Sequence, residues 1–168
     1  MPIHFGTDGW RAVISDSFTF DNLRIVAQAV ADAVASEGWD QRSDPVDKSG
    51  NPEKARGFPE KTQGFGGPKP DPKKIVVGFD TRFLSDRFAG EVARVLAANG
   101  FTVLLSQADA PTPAISFAVK HQNAIAGVMI TASHNAPRYN GVKLKGAFGG
   151  SALNEQCRRV EVYINDNE

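Results

Sequence analysis

Short apolar runs alternate with longer segments of helical periodicity, and this alternation limits the folds open to the chain. The runs at 75–79, 102–105 and 126–131 are rich in β-branched residues, and 141–145 is predicted as a further strand. Continuous apolar strands are typical of a sheet covered on both faces. Because helical segments separate the first three, the sequence predicts an α/β fold, a three-layer α/β/α sandwich. Its sheet should be mainly parallel or mixed, with about four or five strands.

The helices themselves have recognisable beginnings and ends. Amphipathic periodicity predicts helices at 21–37, at 85–99, from Thr112 onward, and at 154–163. Ser85 or Asp86 is the predicted N-cap of the second helix and Thr112 that of the third, since their side-chain oxygens can accept a backbone hydrogen bond. Pro113 suits the first helical position, where its missing N–H costs nothing.

Residues 39–74 interrupt the alternation. Of these 36 residues, 11 are glycine or proline, and few are apolar. Such a segment buries too little apolar surface to offset the entropy of ordering it, so we predict a flexible insert within a single domain of residues 1–168. The glycine-rich run at 64–70 lacks the preceding strand and following helix of a phosphate-binding loop.

Composition excludes several classes of protein. The chain has 19 basic and 19 acidic residues, a formal net charge of zero, which argues against nucleic acid or an anionic membrane as a partner. Cys157 is the only cysteine, so no disulfide forms within the chain, and no apolar run reaches the length of a membrane helix. These features predict a cytoplasmic protein.

The predicted sheet also predicts where a ligand binds. In parallel sheets, ligands lie beyond the carboxyl ends of the strands, which selects the loops after Phe79, Leu105 and Ile130. The last of these loops is dense in small polar and catalytic residue types, with Ser133 as a possible nucleophile. Alternatively, Ser133 only satisfies turn backbone, and Asn140-Gly141 is predicted to be a tight turn into the next strand.

Two serine chemistries compete at this loop. Acyl transfer favours Gly-x-Ser-x-Gly at a strand-to-helix elbow, but Thr131 and Asn135 stand at the glycine positions around Ser133. Phosphoryl transfer instead requires cations and positioning around the phosphoryl oxygens. The candidate cations are Arg11, Arg138 and Lys143.

The N-terminal segment adds a second polar motif. Residues 5–11 read Phe-Gly-Thr-Asp-Gly-Trp-Arg, with two glycines that allow close backbone approach. The planar fork of Arg11 suits phosphate recognition. The alternative interpretation is an edge strand with a surface arginine.

Together these segments resemble the α-D-phosphohexomutase superfamily, the phosphoglucomutase/phosphomannomutase group. The matching motifs are residues 5–11, Gly-Phe-Asp-Thr-Arg at 78–82 with Ser85, Pro-Thr-Pro-Ala at 111–114, Thr-Ala-Ser-His-Asn at 131–135, and Asn-Gly-Val-Lys at 140–143. They follow the family order and span most of the chain outside 39–74. The loop that begins at Thr131 and contains Ser133, called the serine loop below, is highly specific to this family, and the other motifs support it. The resemblance implies the first, serine-bearing domain of a mutase.

The resemblance also implies roles for individual residues. Ser133 would be the active-site serine, carried as a phosphoserine that converts a hexose phosphate to hexose 1,6-bisphosphate and then recovers a phosphoryl group. Arg11 and Lys143 would assist charge and proton transfer, with His134 beside them. The residues implied to support the substrate or the loop are Thr131, Asn135, Arg138 and Asn140. One phosphoserine oxygen would bind Mg²⁺, weakly or not at all in this chain alone, because a hard cation needs several oxygen ligands.

The sequence departs from the family in several places. Ala136 stands where proline is common, and Ala12 where many members have glycine, so both substitutions are expected to loosen their loops. The family's Asp-Gly-Asp-x-Asp-Arg metal loop, Ser-Gly-His sugar loop and terminal phosphate-binding loop do not occur in this sequence. We therefore expect the chain to need the remaining mutase domains in cis and to be inactive alone. Two alternatives are a phosphoglucosamine mutase domain and a non-catalytic, stand-alone phosphosugar-binding or interaction module.

Overall fold

The computed structural model describes residues 3–6, 9–36, 39 and 69–166. In chain order, the elements are β1 (Trp10–Val13), α1 (Phe20–Ala35), β2 (Asp71–Phe79), α2 (Ser85–Ala98), β3 (Thr102–Leu105), α3 (Thr112–His121), β4 (Ala124–Ile130), β5 (Tyr139–Gly146) and α4 (Asn154–Asp166). The predicted α/β class is confirmed. No helix among these described residues is long and apolar enough to cross a membrane.

The strands form one mixed sheet in the order β1-β5-β4-β2-β3. β2 pairs in parallel with both β3 and β4. β5 runs antiparallel to β4 on one side and to β1 on the other. The parallel strands place the loops after β2 and β4 side by side at one end of the sheet.

Helices cover both faces, which confirms the predicted sandwich. α1, α2 and α4 pack on one face around the larger core, whose fully buried side chains include Leu23, Phe88 and Val160. α3 packs alone on the other face, where Ile115 and Val119 form a smaller core with residues of β2 and β4. All seven residues of β4 are buried, as expected for a strand with helices on both sides.

Residues at both ends of the predicted insert pack within the described structure. β2 begins at Asp71, so residues 71–74 belong to the sheet. Trp39 is buried, and its Nε1 donates to the Ile125 carbonyl at 3.4 Å. The Gln156 side chain in turn donates to the Trp39 carbonyl at 2.7 Å. Trp39 and residues 71–74 therefore belong to the folded structure, while the predicted flexible insert stays a prediction, because residues 40–68 lie outside the described part of the chain.

Three further predictions of local structure were wrong. Thr102–Leu105 was expected to be a buried strand, but β3 is a sheet edge whose two terminal residues are exposed. The N-cap of α2 is Leu84, at a φ of +59°, because the Ser85 hydroxyl donates to Asp80 instead of capping the helix. Pro111 takes the N-cap position that was assigned to Thr112.

Glu91 links α1 to α2 and makes the stability of this interface depend on pH. Its buried carboxylate accepts a 2.5 Å hydrogen bond from Arg24 Nε and also contacts Arg94. The hydrogen bond from Arg24 lowers the pKa of Glu91 below its usual 4.5, although burial opposes this. A carboxyl whose pKa is lower in the folded state stabilises the fold above the unfolded-state pKa, and this contribution is lost as the pH falls.

We therefore predict that Glu91→Gln lowers the melting temperature at pH 7 and flattens its decline below about pH 4.5, because the variant has no carboxyl to protonate there. The measurement is the melting temperature of both proteins between pH 3 and 7. Glu155→Gln, at an exposed position of α4, is the matched control. Equal acid slopes for Glu91→Gln and the wild type would contradict the prediction.

Candidate active site

The loops that follow β2 and β4 meet, as the strand-end rule predicts. The Asp80 N–H donates to the Ile130 carbonyl at 3.1 Å, which joins the two loops at their bases. Between them lies an open cleft of about 410 Å³. Its lining consists of Asp80, Thr81, Arg82, Phe83, Ser133, Asn135 and Pro137.

Ser133 lies in this cleft on a strained backbone. It is half-buried, and its φ of +52° lies in the left-handed region that residues other than glycine seldom adopt. Its N–H donates to Thr131 Oγ1 at 3.1 Å, and the Asn135 N–H donates to the Ala132 carbonyl at 3.0 Å. Such conformations persist only where the surroundings hold them in place.

Arg82 donates hydrogen bonds to the backbone of the serine loop and of the residues that follow it. Its Nη2 donates to the carbonyls of Ser133 at 2.8 Å and Asn135 at 2.7 Å. Its Nη1 donates to the carbonyls of Ala136 and Tyr139, each at 3.0 Å. Sequence reasoning did not include this arginine among the site residues. The sequence feature that could have identified Arg82 is its place in the loop after β2, inside the family motif at 78–82.

The predicted turn at Asn140-Gly141 was wrong, because both residues lie inside β5. The chain reverses earlier, where the Tyr139 N–H donates to the Ala136 carbonyl at 3.0 Å and Pro137 occupies the second turn position. Proline favours that position because its φ is already suited to it.

Asn140 ties β5 to the base of the cleft. Its buried Nδ2 donates to Ser85 Oγ at 2.9 Å, and its Oδ1 accepts the Gly141 N–H at 2.9 Å. Ser85 Oγ in turn donates to Asp80 Oδ1 at 2.9 Å. This buried chain of hydrogen bonds connects the start of α2, the first loop and β5.

Gly141 is required by packing and not by a turn. A Cβ at this position would lie 2.5 Å from the Trp10 carbonyl oxygen and 2.8 Å from that of Thr131. Backbone therefore approaches from two directions, which is a typical reason for glycine within a strand. Gly9 meets the same condition, since a Cβ there would lie 2.1 Å from the Val142 carbonyl oxygen.

The N-terminal segment forms an edge strand whose arginine also contacts the serine loop. β1 is an edge strand, and Arg11 on it is exposed. Arg11 Nη1 also donates to Asn135 Oδ1 at 3.5 Å, so the arm reaches the serine loop. Lys143 is buried on β5 two residues beyond Gly141, the partner of Arg11 in the sheet, so both cations share one face.

Arg138 and His134, two further candidate residues of the loop, are not among the residues that line the cleft. Arg138 is exposed, with its guanidinium carbon 5.4 Å from the centre of the Tyr139 ring, and its carbonyl accepts the Ile14 N–H. His134 is exposed and forms no hydrogen bond with the rest of the described structure. Arg11 is thus a candidate cation that contacts the serine loop directly, through the Asn135 side chain.

The side chains in the described part of the chain do not make a complete magnesium site. Within the described ranges, no three His, Cys, Asp or Glu side chains cluster as metal ligands. Asp80, a carboxylate that lines the cleft, already accepts hydrogen bonds from Ser85 and from the Arg82 backbone. Mg²⁺ prefers several oxygen ligands in octahedral geometry, which this donor set does not supply.

Residues 60–168 match the family described as phosphoglucomutase/phosphomannomutase, alpha/beta/alpha domain I. The chain belongs to this family. It is 48% identical over 98 residues to a phosphoglucomutase of Staphylococcus saprophyticus and 41% identical over 98 residues to one of Staphylococcus haemolyticus. Each match covers 58% of this chain and 18% of the relative, so the chain spans about a fifth of these proteins.

Solved structures agree with this assignment. A protein described as a phosphomannomutase of Thermus thermophilus superposes with a TM-score of 0.74 at 36% identity, over 98% of this chain and 30% of that one. A phosphoglucomutase/phosphomannomutase family protein of Burkholderia thailandensis superposes with a TM-score of 0.66 at 22% identity, over 96% of this chain and 30% of that one. The second comparison concerns the fold alone.

Proposed function

We propose that this chain is the phosphoryl-carrying domain of a phosphohexomutase and that Ser133 carries the phosphoryl group. The observation that best supports this is the serine loop, which holds Ser133 on a strained backbone in an open cleft at the carboxyl ends of β2 and β4. A nucleophile held in this way is accessible and needs little reorganisation when it reacts.

The proposed reaction consists of two phosphoryl transfers in opposite directions. In the first, the bond between phosphorus and Ser133 Oγ breaks as a bond to a hexose phosphate hydroxyl forms. That hydroxyl loses its proton, and Ser133 Oγ gains one. The resulting hexose 1,6-bisphosphate then reorients. The bond between its other phosphorus and the sugar oxygen breaks as Ser133 Oγ bonds to that phosphorus, and the sugar oxygen gains the proton that Ser133 loses, which leaves the isomeric hexose phosphate.

Positive charge beside the loop suits this transfer, because phosphoryl transfer depends mainly on positioning and electrostatic stabilisation. We assign Arg11 to the phosphoryl oxygens, since it reaches the loop through Asn135 and remains exposed. Lys143, on the same face of the sheet, is assigned to charge and proton transfer. His134 would flank the group, and Thr131 and Asn135 would hold the loop.

Magnesium would neutralise phosphoryl charge when bound. Ser133 would contribute one phosphate oxygen to it, and the described residues supply too few further oxygen ligands. We therefore expect weak or no Mg²⁺ binding by this chain alone, with the remaining ligands in other mutase domains in cis. The cytoplasmic location remains a prediction from composition.

The test is a substrate comparison on the full-length protein primed with hexose 1,6-bisphosphate. We expect interconversion of the 1- and 6-phosphates of glucose or mannose, and a phosphopeptide that maps to Ser133. A preference for glucosamine phosphate would identify a phosphoglucosamine mutase instead. No turnover of any of these sugars, with no phosphate on Ser133, would favour a non-catalytic phosphosugar-binding or interaction module. Turnover by residues 1–168 alone would contradict the expected inactivity of the isolated chain.

A further inference from the structure

We infer that Arg82 is a positioning residue for Ser133: it sets the shape of the serine loop and binds no ligand itself. This inference rests on the proposed function, because it concerns the residue that would carry the phosphoryl group. It separates Arg82 from Arg11, which also contacts this loop but is exposed to solvent.

The donor count of the guanidinium supports this role. Arginine has five N–H donors in a rigid planar fork. Four of them are directed at the carbonyls of residues 133, 135, 136 and 139. The fifth, on Nε, faces Asp80 Oδ2 at 3.4 Å, and the side chain is only 13% exposed. No donor of Arg82 is left for a phosphate or a sugar.

The four carbonyls determine the course of the loop. A trans peptide unit is planar, with its C=O and N–H directed oppositely, so holding a carbonyl holds the orientation of the whole unit. With the Ser133 carbonyl directed at Nη2, the following N–H, that of His134, is directed away from the guanidinium. The hydrogen bonds from Arg82 therefore stabilise the left-handed backbone of Ser133, and they also fix the direction of its side chain.

Arg82 is itself held in place from the core side. Asp80 Oδ1 accepts the Arg82 N–H at 3.0 Å and the Ser85 hydroxyl at 2.9 Å. The Ser85 hydroxyl accepts from the buried Asn140 side chain. The position of the guanidinium is thus connected to α2 and β5, so the serine loop is built on regular secondary structure.

The test is Arg82→Lys in the full-length protein. An ammonium has a single donor nitrogen and cannot contact four carbonyls in a plane. Because a misplacement of about 1 Å can cost about 100-fold in rate, we expect kcat to fall about 100-fold while KM stays within about threefold. Hydrogen exchange at the Asn135 and Tyr139 amides, which bond within the loop, should accelerate. Arg87→Lys, at an arginine 75% exposed on α2, is the matched control and should change neither readout.

Two outcomes would overturn the inference. One is a wild-type kcat together with wild-type exchange in Arg82→Lys, and the other is a loss confined to KM, which would mean that Arg82 binds substrate. If Arg82→Lys fails to fold, Asp80→Asn replaces it, because this change weakens the ion pair that holds the guanidinium. A smaller fall in kcat is then expected, again with little change in KM. If the wild type has no mutase activity, faster loop exchange in Arg82→Lys still supports the inference while the proposed function fails.

Discussion

Ser133→Ala is expected to lower kcat of the full-length protein by about 10⁴-fold or more, because no other group at the loop can take over as the covalent carrier. Folding should hardly change. The Ser133 side chain is half-buried, and alanine meets the same left-handed backbone without adding atoms. The measurement combines steady-state kinetics with phosphate incorporation from hexose 1,6-bisphosphate, which should disappear.

Ser15→Ala is the matched control for this change. Ser15 is an exposed serine with a φ of +66°, so the same hydroxyl is removed from the same region of backbone conformation, away from the cleft. We expect wild-type kinetics from this variant. If Ser133→Ala retained activity within about tenfold of the wild type, Ser133 would not be the phosphoryl carrier.

Gly141→Ala is expected to have the largest effect on stability, a loss of about 3 kcal/mol. The added Cβ would lie 2.5 Å from the Trp10 carbonyl oxygen and 2.8 Å from that of Thr131. Both atoms belong to the backbone, so the contacts can be relieved only if the backbone of the sheet shifts. The easiest movement separates β1 from β5, which also draws Arg11 away from the serine loop. Urea denaturation of the chain measures the free energy of unfolding.

Gly90→Ala provides the control on α2. No heavy atom lies within 4 Å of a Cβ built there, so alanine should stabilise the chain by about 0.5–1 kcal/mol through its higher helix propensity. Similar changes for Gly90→Ala and Gly141→Ala would mean that close backbone approach does not determine the effect at Gly141.

Sequence patterns predicted the sheet and its helices well, because each element is recorded in its own local periodicity. The fully buried β4 is a continuous apolar run, and α1 carries one apolar face. The strand-end rule then located the serine loop, since it needs only the order of strands and helices. These features depend on residues that are near one another in the chain.

Features that depend on distant residues were missed or misjudged. Nothing within Thr102–Leu105 indicates that β3 pairs with only one other strand of the described sheet. Asn140-Gly141 has the composition of a turn, and only the approach of Trp10 and Thr131 explains why glycine is needed in a strand. Arg82 donates hydrogen bonds to carbonyls more than 50 residues away. Because every residue has a backbone carbonyl, the sequence does not indicate which ones accept these bonds.

The pairing of β1 with β5 has a consequence for synthesis on the ribosome. Arg11 and Asn135 are 124 residues apart, and β1 has its only strand partner among the described residues in β5. During synthesis β1 must therefore wait, with Trp10 uncovered by β5, until the residues of β5 have also left the ribosome. Unpaired strands and exposed apolar side chains promote aggregation. Nascent chains that end before β5 should accordingly depend on chaperones that bind apolar segments.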